Sequence, residues 1–128
     1  MTDSSGVFIA LTRCRDEDRV EEFLTWYAEV QFRNALSVDG VEAATLYRST
    51  EPDEPGYLAI YSLTGDFADT VARLRATIEA RHAAGDLTEL IEIRFANAFR
   101  LEKRMTSSPS GSILRRELKP TRSIANDR

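Results

Sequence analysis

Two segments of this 128-residue chain are apolar at nearly every position, and they constrain the fold more than any other feature. The first is the run Val7 to Leu11, and the second is the run Tyr57 to Leu63, in which the polar exception is Ser62. Continuous apolar runs of this length are typical of strands that are buried on both faces. The sequence therefore predicts a sheet that is covered on both sides.

Helical periodicity and turn residues separate these strands. Apolar residues recur at helical spacing over about 17–36, and the pattern ends before Gly40, where glycine suits a turn or a left-handed cap. A second helix is expected to begin at Asp66 and to end at Gly85. The chain thus alternates between strand-like and helix-like segments.

Two further strands complete the pattern. Val41 to Ser49 is followed by the turn-rich segment Glu51 to Gly56, which suggests a hairpin with a long loop, and Leu90 to Leu101 alternates between apolar and polar residues. The order β-α-β-β-α-β predicts an α+β fold of the ferredoxin-like type. Its four-stranded antiparallel sheet would carry both helices on one face.

Two helices cover only one face of such a sheet, so the second apolar face needs another partner. We expect a homodimer in which two sheets close face to face as an α/β barrel. The domain is predicted to span residues 1–102, with ten arginines against 19 acidic residues, and residues 103–128 are predicted to form a basic, flexible tail with seven basic and two acidic residues. An acidic protein is a possible partner for this tail.

Composition narrows the classes of function. An acidic domain disfavours nucleic acid as a partner, and no apolar run reaches the roughly 20 residues that cross a bilayer. With one cysteine, Cys14, and one histidine, His82, the chain has neither an internal disulfide nor a multi-histidine metal site. The short polar N-terminus resembles no signal segment. We expect a cytoplasmic protein that uses no metal or organic cofactor.

The first helix and the strands after it resemble the dimeric α/β-barrel superfamily, and within it the EthD-like branch. The similarity covers about residues 6–101. It implies a ligand cleft between the helices and the sheet of one subunit. The residues that carry it are Glu22-Phe23, Trp26-Tyr27, Glu29-Val30-Gln31, Leu36, Gly40-Val41, Tyr47-Arg48 and Tyr57 to Tyr61.

The chain departs from that branch at Gln31, where relatives often have histidine. A histidine can accept and return a proton at neutral pH, whereas a carboxamide only donates and accepts hydrogen bonds. Gln31 lies four residues after Tyr27 and three before Asn34, so these side chains share one helix face. We therefore expect Gln31 to position a substrate rather than to act as a base.

The candidate residues each have a structural alternative. Arg48 suits a carboxylate or an enolate oxygen, or it pairs with Glu92 across the sheet. His82 is either a base or a contact at a helix C-terminus. Trp26 and Tyr27 contact the ligand or belong to the core or an interface, and Glu29 points into the cleft or is a solvated helix residue. Tyr57, Tyr61 and Asn97 line either the cleft or the dimer interface. The catalytic candidates are Gln31, Arg48, Tyr61 and His82, and the substrate-binding candidates are Trp26, Tyr27, Glu29, Asn34, Tyr47, Tyr57 and Asn97.

The favoured hypothesis is a cofactor-independent enzyme that cyclises, dehydrates or isomerises a small hydrophobic, oxygenated molecule of polyketide-like or aromatic type. This function is implied by the resemblance and is an analogy at the level of the fold. Two alternatives remain open. The first is a non-catalytic small-molecule-binding or accessory protein, which the glutamine at position 31 favours. The second is a cofactor-free monooxygenase.

Overall fold

The computed structural model of the chain describes residues 4–107, and it has the predicted order of elements. The first long helix is continuous but has three parts, because a π-helical turn at Tyr27–Gln31 joins two α-helical segments, and a short 3-10 turn at Glu17–Arg19 precedes them. A second π-helical turn, His82–Asp86, follows the last helix. The elements are β1 (Ser4–Cys14), α1 (Val20–Trp26), α2 (Phe32–Leu36), β2 (Val41–Arg48), β3 (Tyr57–Thr64), α3 (Phe67–Arg81) and β4 (Ile91–Arg100).

The four strands form one antiparallel sheet in the order β2-β3-β1-β4. This order places the first and third strands in the centre, which agrees with their continuous apolar runs. The helices pack on one face, so the predicted ferredoxin-like α+β arrangement is confirmed. β2 forms one edge of the sheet and β4 forms the other, so the β2–β3 hairpin and the β1–β4 pair make up opposite halves of the sheet.

The core lies between the helices and one face of the sheet. Phe23 and Tyr27 are four residues apart and both point inward, where the Phe23 ring meets the Tyr57 ring with centroids 5.4 Å apart. Tyr61 and Leu63 alternate with outward residues on β3, and both are almost completely buried. Tyr57 and Tyr61 therefore belong to the helix-covered face rather than to the opposite face, where a dimer would form.

A bulge in β4 changes which side its residues face. Leu11 lies opposite Phe95, but the next residue of β1, Thr12, lies opposite Ile93, so Arg94 is an extra residue in β4. Ile93 consequently shares the helix-covered face with Thr12, whereas Phe95 shares the opposite face with Leu11. The sequence suggested a single alternation along this strand, and that interpretation is wrong for its second half.

The face without helices is largely apolar. Cross-strand partners place its side chains in three rows, and several large side chains there are exposed, including Tyr47 at 54% and Phe99 at 45%. We call this surface the open sheet face. Its rows are Tyr47, Leu58, Leu11 and Phe95; Thr45, Ile60, Ile9 and Asn97; and Ala43, Ser62, Val7 and Phe99.

Residues 103–107 are exposed and follow the last strand without regular structure. The rest of the predicted basic tail lies outside the described residues, so the domain boundary at residue 102 stays a prediction. None of the helices within residues 4–107 has the length and apolar character that a membrane span requires.

Close packing at the start of β1 predicts that Gly6→Ala is destabilising. A methyl group on Gly6 would come within 2.5 Å of the Phe67 ring and would press on the Phe99 carbonyl oxygen. Overpacking of this kind costs about 1–3 kcal/mol. The measurement is the free energy of unfolding from urea denaturation of both proteins.

Ser5→Ala is the matched control, since it changes the neighbouring residue in the same strand. The Ser5 hydroxyl is buried and has no hydrogen-bond partner within the described part of the chain. Its removal should leave stability unchanged or raise it, because an unsatisfied buried hydroxyl is unfavourable. Equal destabilisation by both substitutions would contradict the packing argument.

Candidate functional site

The π-helical turn at Tyr27–Gln31 positions the central polar residue of the candidate site. The Phe32 backbone N–H donates to the Tyr27 carbonyl oxygen five residues earlier, instead of the usual four. Such turns inside α-helices occur frequently at functional sites. Gln31 is the last residue of this turn, and its half-buried side chain points between the first helix and the sheet.

Gln31 joins two other catalytic candidates by hydrogen bonds. Its Nε2 donates to the Tyr61 hydroxyl oxygen at 3.2 Å, and its Oε1 lies 3.2 Å from Nε2 of His82. Because Oε1 only accepts hydrogen bonds, His82 carries its proton on Nε2 in this arrangement. We call the three residues His82–Gln31–Tyr61 the polar chain. It connects β3, the π-helical turn and the end of α3.

Burial favours the neutral forms of Tyr27, Tyr61 and His82. It raises the pKa of the Tyr61 hydroxyl, an effect that the Gln31 hydrogen bond partly opposes. It also raises the pKa of Tyr27 to about 12, and that hydroxyl is hydrogen-bonded to Thr12 at 2.8 Å. Desolvation lowers the pKa of His82, while the negative charge of Asp86 acts in the opposite direction. A neutral imidazole at pH 7 follows.

The polar chain forms part of the wall of a cavity of about 120 Å³ between the helices and the β1–β4 side of the sheet. Apolar residues form most of the remaining wall. Arg75 and Glu79 also line the cavity, and the Arg75 guanidinium lies 5.0 Å from the centroid of the Phe8 ring. The other lining residues are Ala10, Thr12, Trp26, Tyr27, Ile78, Ile91, Ile93 and Ala96.

Asp86 attaches the second π-helical turn to the first helix. Its backbone oxygen accepts from Trp26 Nε1 at 2.6 Å, and its carboxylate accepts from Asn34 at 3.3 Å and from Arg81 at 2.7 Å. Gly85 has a φ of 102°, a backbone conformation that favours glycine and reverses the chain after α3. Trp26 and Asn34 thus hold this turn against the helix, and Trp26 also lines the cavity.

The other predicted site residues lie elsewhere. Glu29 is exposed on the helix surface, while Tyr47 and Asn97 lie on the open sheet face. The bulge in β4 turns Asn97 to the open sheet face, so the expectation that its amide lines the pocket is wrong, and the alternative of an interface hydrogen bond stays a prediction. Tyr57 is buried beneath Phe23, and its ring lies 5.7 Å from the Arg48 guanidinium carbon.

Arg48 is at the end of the edge strand β2, and it contributes to a different cavity from the one that the polar chain lines. The structure therefore does not bring Arg48 together with Gln31, Tyr61 and His82. The alternative pairing with Glu92 is also wrong. Glu92 belongs to β4 at the opposite edge of the sheet.

The sequence interpretation missed Thr12 and Asp86. Thr12 directly follows the apolar run of β1. A hydroxyl in that position indicates a buried hydrogen bond, so the sequence did carry a signal for this residue. Asp86 follows Gly85. Its partner Arg81 is five residues earlier, but Trp26 and Asn34 come from distant parts of the chain, so local spacing carries no signal for those two contacts.

Within residues 4–107, no group of three or more histidine, cysteine or acidic side chains is placed to hold a metal ion. Besides the charged side chains of Arg75 and Glu79, the cavity offers the hydroxyl of Tyr61, the carboxamide of Gln31 and the imidazole of His82 as polar groups. These groups suit hydrogen bonding to an oxygenated organic molecule.

The chain has a single histidine, so its proton NMR titration reports His82 without overlap. We expect a pKa below 6.5 in the folded protein, because desolvation disfavours the imidazolium. Asp86→Asn should lower this pKa further, since it removes the charge that favours protonation.

Asp53→Asn, in the exposed loop between β2 and β3, is the control and should leave the titration unchanged. A His82 pKa at or above 6.5 in the folded wild-type protein would show that the imidazole is more hydrated than the structure indicates.

Comparisons with known proteins agree with the architecture. The chain is similar to HapK from Hahella chejuensis, with a TM-score of 0.59 and 16% sequence identity over 80% of this chain and 98% of HapK. It is also similar to Rv0793 from Mycobacterium tuberculosis, with a TM-score of 0.49 and 15% identity over 81% of this chain and 100% of Rv0793. No family model and no curated protein matches it. The likeness to HapK shows that the two proteins share an α+β fold.

Proposed function

We propose that this protein is a cofactor-independent enzyme that cyclises, dehydrates or isomerises a small oxygenated molecule of aromatic or polyketide-like type. The observation that carries the proposal is the polar chain His82–Gln31–Tyr61 in the wall of an otherwise mainly apolar cavity. Pockets for small molecules commonly combine an apolar lining with a few oriented polar groups. This chemistry is also among those that the resemblance to the EthD-like branch implies.

The size of the cavity favours a single ring. An apolar cavity of roughly 150 Å³ accommodates benzene, so about 120 Å³ suits a compact ring or a short folded segment. The isoleucines at positions 78, 91 and 93 and the Phe8 ring would contact such a ring and exclude water from it. A longer substrate would extend past Arg75 and Glu79.

In this proposal Tyr61 is the hydrogen-bond donor to the substrate. Its oxygen accepts from Gln31, so its own proton is available for an oxygen of the substrate. A carbonyl oxygen that becomes an enolate would be stabilised by this hydroxyl, because the donor is already oriented and buried. Gln31 is then a positioning residue for Tyr61 and for His82.

His82 is the base in this proposal. With its proton on Nε2, its neutral ring has a free electron pair on Nδ1, which can take a proton from a carbon next to the substrate carbonyl. The electrons of that C–H bond form the enolate. The imidazolium then returns the proton, to a leaving hydroxyl in a dehydration or to another carbon in an isomerisation. Glu29 is exposed and outside the cavity, so it takes no part.

One observation favours a binding protein as the second candidate. The carboxamide of Gln31 separates His82 from Tyr61, and a carboxamide does not titrate, so the polar chain contains no proton relay. Neutral hydrogen-bonding groups of this kind can hold an oxygenated ligand without reacting with it. The two candidates differ in whether a substrate loses a proton inside the cavity.

Hydrogen–deuterium exchange of cyclohexanone in D₂O tests this difference, because exchange next to the carbonyl requires enolisation. We expect the protein to accelerate the exchange. His82→Gln should reduce the acceleration by about 10²–10⁴-fold through loss of the base. Tyr61→Phe should reduce it by about 10²–10³-fold through loss of the enolate donor.

Tyr47→Phe removes the same hydroxyl from a tyrosine on the open sheet face and should leave the rate unchanged. If wild-type protein binds p-cresol more tightly than toluene but exchange proceeds at the rate in buffer, the binding-protein candidate is correct and the enzyme is not.

We further propose that the protein is a homodimer whose subunits pack through their open sheet faces. The support is the size and apolar character of that face, on which Leu11 and Phe95 are 44% and 41% exposed in the single chain. Light scattering should give about twice the 14.4 kDa chain mass. Phe95→Glu should give the monomer, because a charge would be buried at the interface.

Leu36→Glu is the matched control, since Leu36 is 46% exposed at the end of α2, on the helix-covered side. It should leave the mass unchanged. A wild-type protein that is monomeric at micromolar concentration would refute the dimer.

A further inference from the structure

We propose a second binding site, for an organic oxyanion, in the cavity where β1 and β2 end and β3 begins. This cavity has a volume of about 420 Å³, which is within the usual range for small-molecule pockets. None of its lining residues also lines the smaller cavity at the polar chain. The site is therefore separate from the proposed function and does not depend on it.

Two arginines without anionic partners line this cavity. Arg13 is half-buried, yet within residues 4–107 its guanidinium forms no hydrogen bond and no ion pair. Arg48 likewise has no ion pair among the described residues, and its contact is with the face of the Tyr57 ring. A half-buried arginine such as Arg13 usually has a partner for its charge, whereas the exposed Arg48 is partly hydrated. A bound carboxylate or phosphate would provide this partner.

The cavity is organised before a ligand arrives. Tyr57 supports Arg48 and is itself held by packing against Phe23. The hairpin loop is ordered by the Ser49 N–H, which donates to the Gly56 carbonyl oxygen at 2.9 Å, and by the Ser49 hydroxyl, which accepts from the Glu51 N–H at 3.1 Å. An ordered site of this kind binds at a lower entropic cost.

Glu17 and Glu51 also line the cavity, and they restrict the type of ligand. Neither forms an ion pair with Arg13 or Arg48 in the described part of the chain, so the guanidinium groups are available. The two carboxylates would accept hydrogen bonds from the ligand. The chemistry thus fits an oxyanion that also carries a hydroxyl group, with an apolar body against Tyr57.

Calorimetric titration with 4-hydroxybenzoate, with phenyl phosphate and with neutral 4-hydroxybenzamide tests the site. We expect at least one anion to bind about tenfold more tightly than the amide, because charge-assisted bonds to arginine are stronger than neutral ones. Arg13→Gln and Arg48→Gln should each lower the affinity for the anion by about tenfold. The preferred anion identifies the ligand as a carboxylate or a phosphate.

Arg100→Gln is the matched control. Its guanidinium also lies over an aromatic ring, that of Phe67 at 4.7 Å, but it is not part of this cavity. This variant should bind the anion as wild type does. Amide NMR should place the ligand at Ser49, Thr50 and Gly56, while the His82 resonances stay unchanged.

The proposal is wrong if neither anion binds, if the amide binds as tightly as both anions, or if the shifts map to His82. It is also wrong if Arg48→Gln, which alters an exposed side chain and should fold normally, has no effect on affinity.

Discussion

The buried hydroxyl of Tyr61 is the interaction on which the candidate site depends. The tyrosine is 1% exposed, between the rings of Phe8 and Phe32, so its oxygen needs a partner from the protein. Gln31 meets this need, and the other end of its carboxamide then requires a partner as well, which is His82. One buried polar atom thereby links a central strand, a π-helical turn and the end of the last helix.

The two cavities differ in physical character. The smaller one has neutral titratable groups in the polar chain and mainly apolar walls, with Arg75 and Glu79 as its charged lining residues, so hydrogen-bond direction would contribute most to the choice of a ligand. The larger one has four charged side chains, Arg13, Glu17, Arg48 and Glu51, and lies at the end of the sheet. Electrostatic attraction would govern ligand binding there, and the affinity would fall as the salt concentration rises. The β1 strand passes beside both.

Periodicity predicted the order of elements and most of their bounds, because strands and helices of this length have distinct repeats. It also placed Gln31 on one helix face with Tyr27. It could not show that His82 contacts Gln31, since 51 residues separate them and only the packing of α3 brings them together. Sequence spacing likewise could not show that Arg48 lies apart from the polar chain, because the packing of the whole chain decides this too. Neither the bulge at Arg94 nor the π-helical turns follow from a pattern that assumes a constant repeat.

The bulge at Arg94 gives the length of β4 a particular importance. Residues before it, such as Ile93, line the cavity, and residues after it, such as Phe95, belong to the open sheet face. If β4 paired regularly through Arg94, without the bulge, every later side chain would face the opposite side of the sheet, with Phe95 and Phe99 against the helices and Arg100 on the apolar surface. Homologous chains should consequently accept varied apolar residues in β4 as long as Ile93 and Phe95 keep facing opposite sides of the sheet.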